Sequence, residues 1–156
     1  MEPVNDNMQK YYNYREQMGR LKKALNQKFY LEAIFIEYAI MEDRLESILR
    51  HAGKWNPKPG KYPSIDSKIN KVEKIAEEKK SLANRYFKLD FMEDMRTWKE
   101  TRNKLMHALL KQQLHTEDLQ VCAGEGQELV KTLCSKATSF RRAIEKKQQV
   151  EENKNG

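Results

Sequence analysis

Apolar residues recur at three- and four-residue spacing in five stretches of the chain, the period of helices that bury one face. Tyr11, Tyr14, Met18, Leu21 and Leu25 mark a first amphipathic helix, expected from about Met8 to Gln27. A second, more hydrophobic helix is expected from about Phe29 to His51: Ile34, Tyr38, Met41, Leu45 and Ile48 form its inward stripe, broadened by Leu31, Phe35 and Ile36. Its first half is apolar nearly all round, so it is expected at the centre. Gly53 to Pro63 cannot continue it, because three prolines remove amide donors and restrict their predecessors. This basic loop carries two aromatics, Trp55 and Tyr62, and is read as a packed connector between helices rather than as an RNA-stacking loop.

Ser64 is a suitable N-cap for a third helix, Ile65 to about Lys80, whose narrow stripe of Ile65, Ile69, Val72 and Ile75 puts it on the outside. A short connection around Ser81 to Lys88 leads to a fourth helix, Asp90 to Gln113. Thr116 and Glu117 can start a brief turn, and Gly124 and Gly126 are expected to interrupt the pattern. A last helix, Gln127 to Lys147, then has Leu129, Val130, Leu133, Ala137, Phe140 and Ile144 as its core face. The polar tail, 148–156, is expected to fray. The pattern predicts an all-α fold, an up-and-down bundle of four or five helices in a single domain over 1–156, with its ordered core at about 8–147.

Composition changes this picture little. Six Gly and four Pro are the economy of a bundle, and 34% charged against 38% hydrophobic residues still folds because the apolar positions are periodic. Thirty Lys and Arg against 23 Asp and Glu give a net charge of +7, a bias towards polyanions that a solvated helical surface would also produce. Cys122 and Cys134 lack the number and spacing of a zinc site and read as free thiols in a reducing, cytoplasmic setting. No apolar run is long enough to span a membrane, and neither a metal nor another cofactor is expected.

The fourth helix carries the chemistry. Phe91, Met95, Trp98, Arg102, Leu105 and Leu109 fall on one stripe, which places Arg102 at a core position. A guanidinium stays charged and needs a counter-charge when it leaves water. Glu37, between Ile34 and Met41 on the second helix, is the expected partner, with Glu42 or Asp43 as substitutes; an Arg102 that snorkels outward past a merely flanking Glu37 is the competing reading. His107 comes five residues after Arg102, about 140° round the helix, and Asn103 precedes it by four and shares its face. Arginine and histidine of one chain thus point to different sides, and acting on one phosphate requires a distorted helix or a second subunit. An imidazole can take a 2′-hydroxyl proton or protonate a leaving oxygen, a guanidinium can bind the phosphate, and Asn103 can hold the phosphate or orient the imidazole.

The segment Arg102-Asn103-Lys104-Leu105-Met106-His107 resembles the Arg-x4–6-His motif of HEPN domains, with a polar residue directly after the arginine. Phe29 through Leu49 is similar to that family's long second helix with its internal acid. The resemblance implies a HEPN-like homodimer whose motif helices face each other in one composite site, cleaving RNA without metal and leaving a 2′,3′-cyclic phosphate. It implies roles for Arg102, Asn103 and His107 as catalytic residues and Glu37 as supporting acid, in a toxin or phage-defence effector with RNA as substrate and an antitoxin or other regulatory protein as partner. Leu109 stands where members paired with nucleotidyltransferase antitoxins carry a tyrosine, which speaks against that subfamily. The alternative is a non-catalytic helical module that uses the same groove to bind RNA, a nucleotide or a protein. A plain scaffolding bundle with a coincidental motif is the third reading.

Overall fold

A computed structural model describes residues 6–111 and 113–156, and the described chain is helical without strands. The elements are α1 (Asp6–Asn26), α2 (Tyr30–His51), α3 (Ile65–Glu77), α4 (Leu82–Tyr86), α5 (Leu89–Leu110) and α6 (Thr116–Asn155). Among the described residues no helix is long and apolar enough to cross a membrane. Gln112, which the expected fourth helix would have included, lies outside the described residues.

The predicted centre is correct: α2 packs against α1, α3 and α6, and Ile34, Met41, Leu45 and Ile48 are sealed. Its apolar girdle is incomplete, however, because Leu31 and Phe35 are exposed. Both ends of the α1–α2 hairpin use the left-handed turn that closes helices by returning an amide to a carbonyl five residues back. Lys28 adopts φ +62° so that the Phe29 N–H reaches the Ala24 carbonyl at 2.8 Å. Gly53 does the same at φ +69°, where glycine carries no side-chain penalty, and the Lys54 N–H reaches Leu49 at 2.8 Å.

Ser64 caps α3 as expected, its hydroxyl oxygen accepting from the Ser67 N–H at 3.1 Å. The helix stops at Glu77 rather than near Lys80 because side chains downstream satisfy its last carbonyls. Asn84 donates to the Ala76 carbonyl at 2.8 Å, and the Ser81 hydroxyl lies within bonding distance of the Ile75 and Glu78 carbonyls. Ser81 also accepts from the Asn84 N–H and so starts α4, a five-residue helix where only a connection was expected. The count is therefore six helices among the described residues, not four or five.

The order is also not strictly up-and-down. Lys68 meets Glu46 and Ile75 shares a groove with His51, so α3 runs in the same direction as α2 and the loop between them carries the chain back. Contacts of Asp66 with Lys99 and of Glu73 with Arg96 set α5 antiparallel to α3. The bond from Trp98 to Cys122, with Lys136 over Phe91, sets α6 antiparallel to α5.

Gly124 and Gly126 do not break the chain; both lie inside α6, which is continuous over 40 residues and includes the tail expected to fray. Each glycine costs roughly 1 kcal/mol of helix propensity, which burial of Leu119, Cys122, Ala123 and Val130 along the same face outweighs. The core therefore extends two turns upstream of the expected start of the last helix.

Candidate functional site on the second half of α5

α5 continues without interruption through Arg102, Asn103 and His107 to Leu110. Of the expected stripe, Met95 and Trp98 are buried, joined by Met92. Phe91, Arg102 and Leu105 are half-buried, and Leu109 is exposed. Arg102 thus sits at the rim of the core rather than inside it.

Its guanidinium carbon lies over the Tyr38 ring, 4.1 Å from the centroid, and Nη1 donates to Asn103 Oδ1 at 3.1 Å. Nε is buried and has no partner among the described residues. The expected pair with Glu37 is not made. The reason is angular: Glu37 and Tyr38 are successive residues of a helix, about 100° apart, and α5 approaches on the Tyr38 side. Neither substitute replaces it, since Asp43 is taken by Arg44 at 2.5 Å and Glu42 forms no ion pair with Arg102. Around Tyr38, burial first and the charge of Glu42 second push the phenol upward, while Arg102 and Lys99 oppose them.

Glu37 points instead at α6, where it is completely buried and neither carboxylate oxygen has a hydrogen-bond partner among the described residues. Gly126 makes the space. A Cβ there would lie 2.3 Å from Glu37 Oε1 and 2.8 Å from Trp98 Cζ2, so only glycine lets α6 close over both side chains. Trp98 Nε1 donates to the Cys122 carbonyl at 2.8 Å in the same layer. Burial without a partner pushes the Glu37 carboxyl up to about 9, so it holds its proton at neutral pH. The Cys122 thiol, beside it, is pushed to about 12 by burial and then by Glu37, which leaves it inert as a nucleophile. Neither cysteine is in a disulfide.

His107 is exposed, and its ring makes no hydrogen bond to another described residue. Because α5 is unbroken, the 140° separation from Arg102 persists. Asn103 shares a face with His107, yet its amide oxygen is engaged by Arg102. The structure therefore brings Arg102 and Asn103 together with Tyr38 and does not bring Glu37 or His107 to them. Beyond Arg102 exposed apolar side chains stand among Lys104, His107 and Lys111: Leu109 is 42% and Leu110 84% exposed, and Phe35, one turn before Tyr38 on α2, is 69% exposed. A groove of about 540 Å³ lined by His51, Ile75, Phe140 and Lys147 opens elsewhere and contains none of these residues.

Tyr38, Trp98 and Gly126 were not singled out as site residues from the sequence. A glycine inside an otherwise periodic stretch was the available signal, because such a residue is retained where a neighbour needs the space. Compared with known families, curated proteins and solved structures, the chain matches none of them.

Proposed function

We propose that this protein is a HEPN-like endoribonuclease that cleaves RNA without a metal at a site shared by two copies of the chain. One observation carries the reading: on one unbroken helix, an arginine free of any carboxylate and an unengaged histidine face different sides. In an isologous dimer, a surface meets its own copy, so Arg102 of one chain can face His107 of the other across the two-fold axis. The exposed Leu109, Leu110 and Phe35 supply the apolar area that such a contact would cover.

In this arrangement Arg102, stacked on Tyr38 and steadied by Asn103, binds the scissile phosphate and stabilises its developing charge. His107 moves the proton, taking it from the 2′-hydroxyl or giving it to the leaving 5′-oxygen, so the 2′-oxygen bonds phosphorus as the 5′-oxygen leaves. Glu37 lies behind the site as a protonated acid packed with Trp98 against Gly126, not as a counter-charge.

The test is incubation of the full chain with RNA in the presence of a chelator, with analysis of the ends formed. New 2′,3′-cyclic phosphate ends, absent with His107→Ala, are expected. RNA bound but left intact would favour the non-catalytic module, for which the existing Arg102–Asn103 bond already provides a closed, resting cation.

A further inference from the structure

The loop from Gly53 to Ser64 carries three lysines and no acid. Between Arg50 and Lys71 stand six cations, Arg50, Lys54, Lys58, Lys61, Lys68 and Lys71, and one acid, Asp66. Asp66 is already committed to Lys99 at 2.7 Å, and Glu46 on α2 is shared by Arg50 at 2.6 Å and Lys68 at 3.8 Å. Lys54, Lys58 and Lys61 are exposed and form no ion pair among the described residues.

The loop is anchored at both ends. At its start the half-buried Trp55 ring is flanked by Arg50 and Lys68, each 5.6 Å from the centroid, and by Lys71 at 6.0 Å. Cations over an aromatic face hold the indole against α2 and α3. At its far end the Asp66–Lys99 pair ties the first turn of α3 to α5, one helical turn before Arg102 and Asn103. Pro57, Pro59 and Pro63 restrict the backbone between these anchors. Tyr62 is 98% exposed and packs on nothing, although a connector would bury its aromatic.

We infer that this loop is a landing strap for single-stranded RNA that leads the strand to Arg102, resting on the ribonuclease reading for the identity of the nucleic acid. Unpaired lysines along a constrained backbone track phosphates, and a bare tyrosine offers a stacking platform to a base. In a duplex the bases are already stacked on each other and are withheld from such a ring, so the strap selects unpaired strands. This reverses the expectation of a packed connector for Tyr62 while keeping it for Trp55.

The strap is tested with the full chain carrying His107→Ala, using fluorescence anisotropy of a labelled oligouridylate, a matched RNA duplex and phosphatidylserine vesicles at several salt concentrations. Tighter binding of the single strand than of the duplex or vesicles is expected. Tyr62→Ala should weaken oligouridylate about tenfold, and Lys58→Ala and Lys61→Ala should each reduce the salt slope by about 0.7. All three positions are exposed, and unchanged circular dichroism should verify folding. Unchanged affinity in these variants, or equal or tighter binding of duplex or vesicles, overturns the strap. If the variants lose affinity while the unsubstituted chain cleaves no RNA, the strap stands and the nuclease reading falls. If the variants bind like the His107→Ala chain, and the same substitutions made in the unsubstituted chain leave its cleavage intact, the reverse holds.

Discussion

The two halves of α5 belong to one helix and behave as two surfaces. In the first half, Met92, Met95 and Trp98 are sealed, Arg96 is paired with Glu73 at 2.5 Å and with Glu93, and Lys99 is paired with Asp66. From Arg102 onward the cation has no carboxylate, and two leucines lie open to solvent. The change falls where α3 ends as a neighbour: α3 starts at Ile65 and runs antiparallel, so its first turn meets Lys99 and nothing of it extends further. The proposed contact between two copies rests on this second surface, where exposed apolar area lies beside a cation without a carboxylate.

Four experiments strain this contrast. The largest effect belongs to the second half: His107→Ala should lower RNA cleavage by about 10²–10⁴-fold, the usual contribution of an acid–base residue. Its stability to denaturant should stay within about 0.5 kcal/mol of the parent, because the side chain is exposed. The first half should give the opposite profile. Trp98→Ala removes a sealed indole and its bond to Cys122 and should cost about 3–5 kcal/mol in chemical denaturation.

Glu37, against which the first half packs, should reveal itself in the pH dependence of stability. Its carboxyl is raised from 4.5 to about 9, so below the lower value both folded and unfolded chains hold the proton and its contribution is fully present. Between the two values only the folded chain holds it, and stability should fall with rising pH by about 1 kcal/mol per unit. Glu37→Gln, an isostere of the protonated acid, should flatten that slope in melts from pH 5 to 9. A slope of the opposite sign would mean that the carboxylate is charged and paired. The smallest stability effect is expected for Leu110→Asp, within about 0.5 kcal/mol for the monomer, with weakened self-association in analytical ultracentrifugation.

The helices were legible because a 3.6-residue period survives any tertiary arrangement, and the Ser64 cap because it is a local bond. The sidedness of Arg102 and His107 was legible for the same reason, since it follows from helix geometry once α5 is continuous. What the sequence obscured is where one residue's meaning depends on a distant one. Gly126 reads as a breaker until Glu37 and Trp98 occupy the space that it leaves. Glu37 and Arg102 read as a pair of misfits on two core helices, but their directions on those helices differ, and Tyr38 took the arginine. α4 rests on Ser81 and Asn84 bonding back to α3, which no hydrophobic period records.

The shared site is tested most directly by mixing two inactive chains. Arg102→Ala retains His107, and His107→Ala retains Arg102, so a mixed dimer rebuilds one intact site. An equimolar mixture after subunit exchange should regain about a quarter of the parent's cleavage, from half the dimers carrying one of two sites. Mixtures no more active than either variant alone, with exchange verified by differently labelled chains, would contradict a site completed across subunits.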